Sequence, residues 1–163
     1  MGVNSPLFYM EALKSILNKY INIDSNINIL LNTILNKKDI QDYIIMLNQK
    51  DQLYEQGINY KNQVLGYYSP NTERINPNKK AGTHFTFFDT GDFYKSFRIY
   101  LKKDYFLIEA NPIKDDDNLF KVYGTEILGL TPENIVKLQN KIYPLLKKEI
   151  ITTLIDENIQ KYK

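Results

Sequence analysis

An α+β fold is predicted: N-terminal helices, a small antiparallel sheet with a strand-to-short-helix corner, and a long C-terminal helix. Three observations carry it. Apolar residues recur at helical spacing through most of the first fifty-seven positions, polar and aromatic residues alternate from Gly82 to Phe88 and again from Phe97 to Ala110, and a helical stripe opened by Thr131-Pro132-Glu133 runs to nearly the end.

In order, Ser5 can cap and Pro6 can take the first position of a helix ending near Tyr20, with Tyr9, Leu13, Ile16, Leu17 and Tyr20 on one stripe. Asp24 or Ser25 starts a second helix, whose Ile27, Leu30, Leu31, Ile34 and Leu35 share a face before Lys37 and Lys38 complement the helix dipole. Asp39 starts a third, with Ile40, Tyr43, Ile44, Leu47 and Tyr54 in register and Gly57 as its left-handed end. From Ile58 to Lys80 the texture turns to Asn, Gly, Pro and Lys. This predicts an extended surface arm or loop with at most one short strand, and so long an irregular segment is usually a contact element. Its exposed candidates are Tyr60, Tyr67, Tyr68, Arg74, Lys79 and Lys80.

The stretch Gly82 to Phe97 organises the rest. Phe85 and Phe87 share one face of a strand, and Thr86 and Phe88 the other. Asp89-Thr90-Gly91 then turns the chain, since Asp and Thr oxygens can accept from free backbone N–H groups and Gly tolerates unusual backbone angles. Phe93, Tyr94 and Phe97 form the aromatic side of a brief helix that follows. The structural corner is therefore Asp89, Thr90, Gly91, Phe93, Tyr94 and Phe97. Phe97 to Leu101 predicts a strand that turns at Lys103-Asp104, Tyr105 to Ala110 runs back, and a third strand is expected at Leu119 to Tyr123, making a meander. In the last helix Pro144 removes one backbone bond and predicts a kink near Leu138 to Lys141. The 163 residues read as a single α+β domain, a size at which folding buries about 70% of the unfolded surface.

Composition narrows the function classes. There is no Cys, which excludes disulfides, thiolate metal sites and a Cys nucleophile, and suits a reducing compartment. Lys and Arg number 21 against 19 Asp and Glu, a net +2, too little to hold a protein on nucleic acid chiefly by charge. Met1-Gly2-Val3-Asn4-Ser5-Pro6 lacks a secretory pattern, and Pro6 stands where myristoylation needs Ser or Thr. No apolar run approaches the roughly 18 residues of a membrane span, so a soluble protein is expected.

Asp89-Thr90-Gly91 has the form of an aspartic-protease triplet, and Ile127-Leu128-Gly129 that of the downstream element in such enzymes. A retropepsin-like protease, however, would place the triplet early in a chain of strands. Here some fifty residues of helix precede it, an aromatic helical turn follows it, and the two elements are closely spaced, so the structural corner is favoured. His84, the only histidine, has no second histidine or paired nucleophile to complete a hydrolytic or zinc site. Asp115-Asp116-Asp117-Asn118 lacks the spaced oxygens and Gly of a calcium loop and reads as a solvated turn. Lys79-Lys80 and Lys102-Lys103 read as solubilising strand ends, and there is no Gly-rich phosphate loop. No catalytic residue, cofactor or metal is expected.

Leu53-Tyr54-Glu55-Gln56-Gly57, Gly66-Tyr67-Tyr68-Ser69, Thr72, Lys79-Lys80-Ala81-Gly82 and Phe88-Asp89-Thr90-Gly91-Asp92-Phe93-Tyr94-Lys95-Ser96-Phe97 occur in that order after a helical N-terminal part. Over Leu53 to Ala110 the chain resembles the tail-completion or neck (head-tail connector) proteins of tailed bacteriophages, many of which carry a Thr-Gly-x-Leu-x-x-Ser-like corner before a strand hairpin. Phe93 stands where Leu is commoner, and the C-terminal helix is longer than in the shortest members. The resemblance implies a virion structural protein, assembled in the host cytoplasm as a homo-oligomeric ring. Such a ring contacts portal, adaptor or tail subunits and lets genome DNA pass its lumen without specific binding. It implies no enzyme, and an arm at Ile58 to Lys80 that becomes ordered on assembly. An adaptor that binds a host factor through the same arm is a third class.

Overall fold

The structure, a computed structural model, describes residues 27–103, 105–114 and 117–161. The helix expected at Pro6 to Tyr20 lies outside the described residues, as do Asp104, Asp115 and Asp116. The architecture is α+β. Helix α1 (Ile27–Leu35) is followed by α2 (Lys38–Met46), which runs on as a π-helical segment, Leu47–Tyr54. Two short helices, α3 (Pro70–Ile75) and α4 (Asp92–Lys95), precede strands β1 (Arg98–Leu101) and β2 (Phe106–Glu109). A second strand pair, β3 (Ile113–Lys114) and β4 (Asp117–Asn118), leads into α5 (Leu119–Tyr123), a 3-10 turn at Thr125–Ile127 and α6 (Pro132–Lys161).

The fold separates into two compact units, which the chain enters more than once. Among the described residues, the first holds 27–43, 101–103, 105–107 and 135–161. Its buried side chains are Ile27, Leu31, Ile34, Leu35, Ile40 and Phe106, with Ile135, Leu138, Ile142, Leu146 and Ile150 along α6. The apolar stripes read from the sequence therefore account for this core. Lys37 pairs with Glu149 at 3.1 Å, and the Lys141 ammonium lies 5.7 Å from the centre of the Tyr43 ring. Pro144 has no N–H to give to the carbonyl of Asn140, yet the helix runs unbroken past it.

The second unit comprises Ile44–Tyr100 and Ile108–Asn134. Its apolar centre is Ile44, Leu47, Leu53, Phe93, Phe97, Ile108, Ile127 and Leu130, and it also buries Asn48, Gln52, Asn59, Thr131 and Asn134. Three expectations are corrected here. The stretch Phe85–Phe88 joins no ladder, because Phe87 sits at φ 54°, a backbone region that costs a bulky residue about 1–3 kcal/mol and interrupts a strand. Leu119–Tyr123 is a helix and not a third strand. Asn118 caps it, its Oδ1 accepting from the N–H groups of Phe120 at 2.9 Å and Lys121 at 3.4 Å. The expected three-strand meander is thus two separate antiparallel pairs, β1 with β2 and β3 with β4.

The third correction concerns Ile58–Lys80. In place of an irregular arm, the segment forms a bridge between Ile58 and Val64, a second between Tyr67 and His84, and helix α3. Ser69 caps α3, accepting from the Thr72 N–H at 3.1 Å, and Pro70 takes the first position. Three backbone bonds, Tyr68 N to Thr83 O, Gly82 N to Tyr68 O and Phe85 N to Gly66 O, at 2.9 to 3.0 Å, lay the segment against the start of the corner. Within a single chain it is already tied down.

Candidate functional site

The corner is built by a division of labour that the sequence does not spell out. Thr90 Oγ1 accepts from the Asp92 N–H at 3.4 Å and donates to Asp92 Oδ2 at 2.6 Å. Gly91 precedes the helix at φ 83° and is buried. Asp92 is held below the ordinary carboxylate range, chiefly by the Thr90 hydroxyl and then by Lys95, whose ammonium is 3.1 Å away. Asp89 reaches back along the chain as well. Its carboxylate pairs with the Lys79 ammonium at 3.2 Å, and so ties the corner to the segment before it.

Behind the turn, Phe93 and Phe97 are buried with ring centres 5.1 Å apart, and Ser96 Oγ accepts from the Asn111 N–H at 2.9 Å, joining α4 to the chain beyond β2. Tyr94 is half-buried. Its hydroxyl donates to the Thr86 carbonyl, its own carbonyl accepts from the Gln49 amide, and burial pushes its hydroxyl well above the ordinary tyrosine value. The alternation read at Phe85–Phe88 survives as a division of faces. Phe85 and Phe87 both stand edge-on to Tyr123, at 5.8 and 4.8 Å, while Phe88 stands edge-on to Tyr54 and Tyr94 at 6.1 and 5.9 Å.

These rings wall two hollows. One, of about 330 Å³, is lined by Tyr68, Phe85, Phe87, Phe93, Leu119 and Tyr123 with Thr72 at its edge; the other, of about 230 Å³, by Tyr54, Asn76, Asn78, Thr83 and Thr86. Tyr68, Lys79, Phe88 and Asp89 line both. The Tyr68 hydroxyl lies 3.0 Å from Thr86 Oγ1 and accepts from the Thr86 N–H at 3.0 Å, and the Lys79 ammonium is 5.9 Å from the Tyr68 ring centre.

The expected contact residues divide accordingly. Tyr68 and Lys79 belong to this site, Tyr67 and Arg74 are exposed beside it, and Lys80 pairs with Glu73 at 2.9 Å. Tyr60 is half-buried elsewhere, its N–H on the Glu126 carbonyl and the Lys61 ammonium over its ring. Glu73 was missed by sequence reasoning. It accepts from the Ala81 N–H at 2.9 Å as well as from Lys80, and these two donors, Ala81 first, hold its carboxyl below the ordinary range. Its spacing from Lys80, seven residues across a loop, gives no local signal. His84 bonds through Nε2 to the Tyr54 carbonyl at 3.0 Å, a tether within the unit.

Also missed was the buried amide ladder under the Ile127-Leu128-Gly129 element. Asn48 donates to the Ile127 carbonyl at 3.0 Å and accepts from the Gly129 N–H at 3.3 Å; Gln52 donates to the Gly129 carbonyl at 2.9 Å and accepts from the Thr131 N–H at 2.8 Å. Asn134 closes the network on Gln52 Oε1 and the Leu47 carbonyl, and Thr131 caps α6 as expected by accepting from the Asn134 N–H. The signal was present as two amides, four positions apart, beside the apolar stripe of the third predicted helix.

Fold and site together define an α+β protein with an aromatic, ion-paired corner. Comparison with protein-family models, with curated proteins and with solved structures returns no match to this chain. Among the described residues, no helix is long and apolar enough to cross a membrane.

Proposed function

We propose that this chain is a virion structural protein of tailed phages, one subunit of a homo-oligomeric ring in the neck that joins head and tail. It acts by protein-protein assembly with its own copies and with portal, adaptor or tail subunits. The observation that carries the reading is exposed apolar surface on Ile58–Lys80 and at the corner: Val64, Tyr67, Ile75 and Phe88 are 51%, 60%, 79% and 47% exposed, large apolar side chains of the kind a contact face uses. The corner supports it further, since the Thr90 hydroxyl, the left-handed backbone of Gly91, the buried Phe93 ring and the Ser96 hydroxyl each help to hold the short helix that this motif forms.

Because Ile58–Lys80 is already bonded to its own chain, the proposed contact is the exposed rim of a folded segment, not an arm that orders on assembly. A head-to-tail ring then sets this rim against a different face of the next copy. Mass spectrometry of tailed particles that carry the encoding gene should detect the chain in several copies per particle, and a particle reconstruction should place it at the head-to-tail junction. Intact particles without it would overturn the reading. So would pepstatin-sensitive peptide cleavage by the purified protein that Asp89→Asn abolishes, because no reaction is required of the proposed subunit.

A further inference from the structure

The two hollows at the corner share four lining residues, and two of these, Lys79 and Asp89, form an ion pair. The segment that delivers Lys79 is a strap. It leaves α3 at Asn76, turns where the Asn78 N–H meets Asn76 Oδ1 at 3.1 Å and the Lys79 N–H meets the Asn76 carbonyl at 2.9 Å, and returns to Ala81, which Glu73 holds. Both ends of the strap are therefore fixed by hydrogen bonds, while its middle meets the corner through the Lys79 side chain.

We infer that the Lys79–Asp89 pair is a latch: closed, it stands between two small hollows, and open, it joins them into one trough that is aromatic along Phe85, Phe87, Tyr68 and Phe88 and polar at its Asn76, Asn78 and Thr86 end. The geometry suits a latch better than a fixed strut. Side-chain exposure is 20% for Lys79 and 40% for Asp89, so water and salt reach the pair and it is weak enough to open. Lys79 also has a resting place once released, because its ammonium already lies against the Tyr68 ring. The inference is independent of the neck-ring reading and concerns only what this unit does to its own surface.

The test uses Nile red, an uncharged dye that brightens in apolar clefts, with the purified full chain. Lys79→Met and Asp89→Asn should each raise dye fluorescence at low salt by about two- to five-fold over wild type, the range that loss of such a pair supports. The exchanged double variant, Lys79→Asp with Asp89→Lys, should return it toward the wild-type level. In wild type the signal should rise as the screening length falls from about 30 Å at 0.01 M salt to about 3 Å at 1 M, and in Lys79→Met it should stay flat. Single variants that fold, by circular dichroism, yet bind no more dye than wild type would overturn the latch, as would an exchanged variant as bright as the single ones. If the variants do not fold, the salt titration of wild type decides alone, and a flat response overturns the inference.

Discussion

Gln52 and Thr131 lie 79 residues apart in the chain, and the Oε1 of one accepts the backbone N–H of the other at 2.8 Å inside the second unit. Gln52 is fully buried; its Nε2 donates to the Gly129 carbonyl, and its Oε1 also accepts from Asn134 Nδ2. One side chain thus satisfies the backbone on both sides of Leu130. A buried polar group that keeps all its partners costs little, whereas removing one partner strands the rest.

Gln52→Ala should therefore destabilise the protein by more than an ordinary cavity would. Each buried group left unpaired costs about 1–3 kcal/mol, and the variant strands the Thr131 N–H and the Gly129 carbonyl together. Urea denaturation followed by circular dichroism measures it; a loss below about 1 kcal/mol would show that the ladder does not hold this unit together.

Gly57 and Gly91 separate backbone strain from crowding. Both have positive φ, 62° and 83°, so an Ala at either loses the conformational freedom that Gly has there, about 1 kcal/mol. A Cβ on Gly57 would meet His84 Cβ at 2.6 Å, while on Gly91 its nearest neighbour is Phe88 Cε2 at 3.4 Å. Gly57→Ala should be the more destabilising of the two, and equal melting temperatures would count against the packing of His84.

Alkaline stability should report Tyr94. Its folded value lies above the ordinary tyrosine value of about 10, so above that pH the unfolded chain releases a proton that the folded chain keeps. Stability is then fully present below about pH 10 and falls as pH rises beyond it. Tyr94→Phe should flatten that fall while lowering stability at neutral pH by about 0.5–1.5 kcal/mol for the lost bond to Thr86. An unchanged alkaline slope in the variant would contradict the assignment.

At the acid end, Glu73 fastens the strap. Its depressed folded value means that its contribution is present above the ordinary Glu value of about 4.3 and is lost as pH falls through the folded value. The Ala81 amide resonance should titrate with a midpoint below that of an ordinary glutamate, and Glu73→Gln should remove the titration. A midpoint at or above the ordinary value would break the link between Glu73 and Ala81.

Local signals served the helices and the turn well. Thr131-Pro132 and Thr90-Gly91 were read because each acts on backbone a few residues away, and the stripes of α1, α2 and α6 because one face of each is apolar, whereas the Ser69-Pro70 cap of α3 went unread inside a segment rich in Asn, Pro and Lys. The strand expected at Phe85–Phe88 failed although its faces divide as read. Alternation records which way side chains point, and it cannot record that Phe87 takes a backbone angle at which a ladder stops. Leu119–Tyr123 failed for a related reason, since five residues are too few to distinguish the helical period from the strand period and the capping Asn118 decided it.

What the sequence settled alone was everything of short range: an α+β protein without cysteine, nearly neutral, with capped helices and a glycine-turned aromatic corner. Tertiary structure alone decided that Asp89 faces Lys79, that Glu73 holds Ala81, and that two amides of a helix carry the backbone of Ile127–Thr131. Those pairings join positions from eight to eighty-one residues apart, and which of many chemically equivalent carboxylates and amides meet is fixed by where the packed chain brings them, not by their neighbours in sequence.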